Sequence, residues 1–349
     1  MTDKLKALID RLEAEHTLKK EEWVALFDGY DDETREYAAK KARETAQSVF
    51  GNKIYIRGIV EFSNVCKNDC LYCGIRCSNS NAVRYRLTEE EILSCCDEGY
   101  KYGFRTFVLQ SGEDHKEYPA SRMAEIVRMI KKAHPDCAVT LSLGEMEYED
   151  YKLMKEAGAD RYLLRHETAS KELYEKLHPQ SMSFEHRMQC LKWLKELGYQ
   201  TGAGMMIGAP YQTSEHLAED MLFLRSFEPH MIGTGPFLPH SDTPFKNMPK
   251  GSYELTLFVL SLCRLMLPDV LLPATTALGT IRPNGREQGV LSGANVIMPN
   301  LSPTAVRKKY MLYDGKICTE DSSDECHSCV QARMKSIGYE VEITRGDHR

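Results

Sequence analysis

From Lys53 onward, short apolar runs alternate with longer stretches in which apolar residues recur every three or four positions. The runs lie at 54–62, 106–110, 138–143, 161–165, 201–207, 231–237, 270–275 and 295–299, and their length predicts strands. The amphipathic stretches at 88–102, 121–133, 148–157, 183–197, 213–227 and 252–267 predict helices. Thr88 and Glu91 form a capping box at the start of the first. Gly103, Gly158 and Gly198 each stand just past a helix, where a left-handed residue is favoured. Strands and helices in strict alternation predict an α/β fold, a (β/α)8 TIM-type barrel of parallel strands. The seventh connection, 284–293, is short, and its structure is left open.

Before the barrel, residues 1–50 read as helices. Leu5, Leu8, Ile9 and Leu12 share one face, Trp23, Leu26 and Phe27 another, and Asp31 and Asp32 suit the start of a third helix reaching about Val49. The expected organisation is an N-terminal helical cover (1–50), the barrel (51–300) and a C-terminal extension (301–349). A chain of 349 residues accommodates such a barrel with extensions. Its net charge of −6 is spread out, without a basic run, so nucleic acid is not an expected partner. No apolar run is long enough for a bilayer, and the first residues lack the apolar core of a signal peptide. Twelve cysteines then point to a reducing cytoplasm and to metal ligation rather than disulfides.

Chemistry-bearing residues collect at the carboxyl ends of the predicted strands, the face on which barrels of this kind build active sites. The first strand runs into a charged loop with Cys66, Cys70 and Cys73 at C-x3-C-x2-C spacing and Tyr72 before the last. A cubane cluster has four irons and is ordinarily held by four thiolates, so three thiols leave one iron open to a small ligand. Zinc, with Cys77 as a fourth ligand, is the competing reading. A second group, Cys318, Cys326 and Cys329, is first read as a further metal or cluster site, with zinc and unligated thiols as alternatives. Cys95, Cys96, Cys137, Cys190 and Cys263 are expected to be packing residues.

The cluster loop resembles that of the radical S-adenosylmethionine (radical SAM) enzymes. The stretches 55–64, 109–114, 140–145, 161–168, 273–277 and 294–300, together with the second cysteine group, are similar to the HydE maturases of [FeFe]-hydrogenase. The resemblance covers about residues 50–335. It implies that Cys66, Cys70 and Cys73 hold a [4Fe–4S] cluster and that Tyr72, Gln110, Ser111, Gly112, Glu113, Glu167, Arg187 and Met206 bind SAM. In that family the reduced cluster cleaves SAM to a 5′-deoxyadenosyl radical. Arg187 suits a charge-assisted bond to the methionine carboxylate, and Glu167 suits ribose hydroxyls.

A second set implied by the resemblance is Thr140, Ser142, Arg161, Arg165, Met231, Thr275, Thr276 and Tyr310, for substrate. Arginines and hydroxyls inside an apolar barrel call for an anion, because buried unpaired groups are costly. The resemblance implies a cysteine-bound Fe(CO)2(CN) precursor as substrate, with maturation of the di-iron H-cluster site as the outcome. It further implies a second iron–sulfur cluster, [2Fe–2S] or [4Fe–4S], and partnership with other maturation proteins and an electron donor. Alternatives are a related enzyme of the biotin synthase or methylornithine synthase branch, acting on a small carboxylate, and a non-catalytic iron–sulfur carrier.

Overall fold

The computed structural model describes residues 2–320 and 323–348, with the backbone alone for 323–326. Six strands form one parallel sheet in chain order: Gly58–Ser63, Thr106–Ser111, Ala138–Ser142, Arg161–Leu163, Gln200–Ala203 and Met231–Ile232. A seventh segment joins through the parallel bridge of Met231 with Leu271, and an eighth, Val296–Ile297, through that of Pro273 with Val296. The ring closes where the Ile59 amide donates to the Pro299 carbonyl at 2.9 Å and the Leu301 amide to that of Ile59 at 2.7 Å. This is the expected eight-stranded parallel barrel.

Alternation along the strands sorts side chains between two layers. Phe107, Leu109, Val139, Leu141 and Tyr162 point outward into the main apolar core beneath the surrounding helices. Thr106, Gln110, Thr140, Ser142, Arg161 and Arg165 take the opposite, inward parity. The six expected helices appear as Glu89–Lys101, Ala120–Ala133, Tyr148–Glu156, Phe184–Glu196, Ser214–Phe227 and Tyr253–Met266. Gly103, Gly158 and Gly198 have φ of 86°, 109° and 75°, as their positions predict. Lys171–Leu177 and Gly285–Leu291 are additional short helices, the second filling the connection left open by the sequence.

The three leading helices, Asp3–Glu15, Lys20–Gly29 and Asp32–Phe50, do not lie across an end of the barrel. They pack on its outer wall against Ser214–Phe227 and Tyr253–Met266. The amino-terminal end of the barrel is covered instead by residues 340–348. Glu340–Glu342 pairs with Lys53–Ile56. Beyond it, the Arg345 carbonyl accepts from Thr106 at 2.7 Å and from Arg161 at 2.7 Å. The Gly346 carbonyl accepts from Arg57 at 3.3 Å. None of the described helices is long and apolar enough to cross a membrane.

Candidate active site

The loop after Gly58–Ser63 is pinned from several directions. The Lys67 amide donates to the Glu113 carbonyl at 3.0 Å, that of Leu71 to Leu177 at 3.0 Å, and that of Gly74 to Leu312 at 2.9 Å. A side chain at Gly112 would stand 2.3 Å from the Val65 carbonyl oxygen, so glycine alone lets the second-strand loop approach this closely. The next amide, of Glu113, then reaches the Cys66 sulfur at 3.4 Å.

Burial raises the pKa of Cys66 against the opposing pull of the Asn68 and Glu113 amides. Burial, then the negative charge of Cys73 and Cys66, raises Cys70 well above its ordinary value. Burial and Cys66 push Cys73 up to about 12. Three bare thiolates are disfavoured here, whereas a cationic iron core would stabilise them. Among the described residues no three His, Cys, Asp or Glu side chains converge on a single ion. Cys77 is exposed, and its amide is tied to the Asn68 carbonyl at 2.9 Å.

Beside the thiols, Tyr72 packs against an apolar cluster that includes Met206, Leu173, Leu177 and Phe237. Its hydroxyl meets His178 Nε2 at 3.1 Å. Gln110 donates to the Tyr310 hydroxyl at 3.2 Å, and Ser111 to the Gly112 carbonyl at 2.7 Å. Arg187 is buried, with Nε donating to Glu145 Oε1 at 2.5 Å and Nη1 to the Arg165 carbonyl at 2.6 Å. The Glu145 amide in turn donates to Glu113 Oε1 at 3.0 Å. Glu145 thus joins two expected cofactor residues. The sequence placed it within the stretch 140–145 and gave it no role. Arg165 Nη2 lies 3.0 Å from Glu167 Oε2, without hydrogen-bond alignment.

Beyond the Arg165–Glu167 ion pair, several polar atoms in and around the barrel are buried without a hydrogen-bond partner: Thr140 Oγ1, Thr275 Oγ1 and Arg165 Nε. Such atoms ordinarily cost about 1–3 kcal/mol each, so a polar ligand among them fits the site. Ser142 and Thr276 are partly buried near the same strand ends. Arg161 and Met231 stand apart from this group. Each begins its strand, at the amino-terminal end of the barrel. The anion that Arg161 meets is Asp347 of the chain itself, at 2.5 Å, and Met231 Sδ accepts from Arg57 at 2.9 Å. The expectation that Arg161 receives a substrate anion therefore meets an internal counter-charge.

Cys318 and Cys329 line a cavity of about 70 Å3 with Glu61, Thr276, Arg286 and Lys316. Arg286 Nη2 lies 3.2 Å from the Cys318 sulfur. The side chain of Cys326 lies outside the described residues. The expected packing cysteines Cys95, Cys96, Cys137, Cys190 and Cys263 are all buried.

A parallel barrel whose first strand delivers three thiols to its carboxyl face, beside a polar pocket, is the architecture of the radical SAM enzymes. The Radical SAM superfamily model matches residues 60–224. The chain is 51% identical over 299 residues to the [FeFe] hydrogenase maturase subunit HydE of Thermotoga maritima, covering 86% of this chain and 85% of that one. The chain belongs to the HydE family of radical SAM enzymes. It is also 30% identical over 339 residues to a 3-methylornithine synthase of Methanosarcina acetivorans, covering 97% of this chain and 89% of that one. Among solved structures, methylornithine synthase (PylB) superposes with a TM-score of 0.85 at 28% identity, covering 96% and 97% of the two chains. The maturase HydG superposes with a TM-score of 0.82 at 20% identity, covering 98% and 77%, a likeness of fold.

Proposed function

We propose that this chain matures the di-iron site of an [FeFe]-hydrogenase, acting on a cysteine-bound Fe(CO)2(CN) precursor. The identity to HydE over most of both chains carries this reading. Cys66, Cys70 and Cys73 would hold a [4Fe–4S] cluster, and Tyr72, Gln110, Ser111, Gly112, Glu113, Glu167, Arg187 and Met206 would hold SAM. Bound together, cluster and SAM supply a 5′-deoxyadenosyl radical. The protein's share is to bind, orient and exclude water. Tyr72 and Met206 offer an apolar face for adenine, Glu167 an acceptor for ribose hydroxyls, and Arg187 a cation for the methionine carboxylate. Arg165, Thr140, Ser142, Thr275, Thr276 and Tyr310 would hold the substrate. Arg161 and Met231, beside Asp347, would form the floor below it.

Cys318, Cys326 and Cys329 are proposed to bind a second iron–sulfur cluster, beside the barrel rather than within it. The setting is cytoplasmic, with an electron donor and other maturation proteins as partners. Anaerobic reconstitution with iron, sulfide, dithionite and SAM tests the reading. Wild type should release 5′-deoxyadenosine, and Cys70→Ala should release at most a hundredth as much. Equal release by both would remove the cluster assignment. A wild-type protein that binds iron but never cleaves SAM would leave the carrier reading standing.

A further inference from the structure

The segment 165–168 carries Arg165 and Glu167, an ion pair expected at the barrel mouth, and it is strained. Glu167 has φ of 66°, a left-handed conformation that a glutamate adopts only when its surroundings impose it. Four contacts hold the segment, two across the barrel wall to Gly204 and two to Asp220 on the helix behind the wall. The Glu167 amide donates to the Gly204 carbonyl at 3.0 Å. The Gly204 amide donates back to His166 Nδ1 at 3.1 Å. His166 Nδ1 is thus an acceptor, its proton sits on Nε2, and Nε2 meets Asp220 Oδ1 at 3.2 Å. The same oxygen accepts from the Ala169 amide at 2.5 Å.

One carboxylate oxygen therefore holds the residue before Glu167 and the residue two after it. His166 and Asp220 are both fully buried, and the His166 ring packs on Phe223 with centroids 4.7 Å apart. Asp220 is carried on Ser214–Phe227, and its hydrogen-bond partners are His166 and the Ala169 amide. Its second oxygen, Oδ2, is buried with no hydrogen-bond partner. A negative charge is thus poorly served here, while a single acceptor oxygen is used twice.

We propose that Asp220, through His166 and the Ala169 amide, is a positioning residue that clamps the left-handed turn at Glu167 and so aims Glu167 into the SAM pocket. The inference rests on the reading of Glu167 as a SAM-binding residue. What the clamp needs is an acceptor at Oδ1, not a charge. Asparagine supplies that acceptor and puts an amide where Oδ2 is orphaned.

The test uses the full chain reconstituted with its cluster, comparing Asp220→Ala, Asp220→Asn, His166→Phe and Glu167→Ala. Equilibrium SAM binding, iron content, melting temperature and the SAM-induced change in the reduced cluster's electron paramagnetic resonance spectrum are measured on each. Asp220→Ala should bind SAM about tenfold more weakly at unchanged iron content and blunt the spectral change. Asp220→Asn should restore binding to within about twofold of wild type. His166→Phe keeps the packing on Phe223, loses both ring bonds and should match Asp220→Ala, which covers the case in which Asp220→Ala does not fold. Wild-type affinity in Asp220→Ala, or in His166→Phe where the former does not fold, overturns the clamp. So does an Asp220→Asn variant that folds, loads iron and fails to bind. Wild-type affinity in Glu167→Ala overturns the reading of Glu167 itself, whereas weakened binding in Glu167→Ala beside wild-type affinity in Asp220→Ala overturns the clamp alone.

Discussion

The imidazole of His178 lies between Tyr174, whose carbonyl takes its Nδ1–H at 2.9 Å, and Tyr72, whose hydroxyl donates to Nε2 at 3.1 Å. Burial, then the nearby positive charge of Arg187, pushes its pKa down to about 3 from an ordinary 6.5. The folded-state value is the lower one, so the unfolded chain takes up this proton first. The stability contributed by neutral His178 is complete above pH 6.5 and is lost as the pH falls towards 3. Glutamine in its place still offers Tyr72 an acceptor and does not titrate. His178→Gln should therefore flatten the decline of the urea unfolding midpoint between pH 6.5 and 4. Parallel curves for the two proteins would assign the acid sensitivity elsewhere. In the folded protein His178 stays neutral until the pH nears 3, so its lone pair continues to hold the Tyr72 hydroxyl across this interval.

At the scale of elements, the loops after the second and third strands meet at Gly144. Its φ is 81°, and a Cβ there would stand 2.1 Å from Glu113 Cγ. Gly144→Ala should displace the Glu113 carboxylate and lower SAM affinity about tenfold, with the melting temperature falling by only a few degrees, an effect of about 1–2 kcal/mol. Unchanged SAM binding, measured by calorimetry, would detach Glu113 from the cofactor. The strands themselves were legible in the sequence because residues such as Phe107–Leu109 and Val139–Leu141 are buried on both faces and leave apolar runs. The three-thiol loop was legible by spacing. Pairings across the fold were not. Nothing periodic announces that Glu145 meets Arg187, that Asp220 meets His166, or that Asp347 meets Arg161. Arg161 and Arg165 share a parity, so alternation alone treats them alike. Four residues of strand separate them by about 13 Å, one at the floor and one at the mouth. Lys171–Leu177 was missed because a helix this short leaves too few turns to establish a period.

At the scale of the molecule, the barrel owes its closed floor to residues 344–348. Arg161 is fully buried with its guanidinium on Asp347, which also meets Arg345 at 2.7 Å. Removing one partner of a buried pair costs about 3–5 kcal/mol, and less where that partner is partly solvated, as Asp347 is. Asp347→Ala should thus lower unfolding stability in urea by about 1–3 kcal/mol. A change below about 0.5 kcal/mol, the usual effect of a surface substitution, would show that the floor needs no counter-charge. The ring's closing contacts set an order of events during synthesis. Tyr55 is in register with Val296 on one side and Glu342 on the other, and Arg57 reaches Gly346. The ribosome therefore delivers Cys66, Cys70 and Cys73 long before it delivers the strand that covers their own. Until then Gly58–Ser63 is an open sheet edge carrying three uncovered thiols, the kind of edge that pairs with the wrong neighbour. A nascent chain of this fold is most vulnerable to oxidation and aggregation over the interval in which residues 74–301 are being made, and metal loading before release would shorten that exposure.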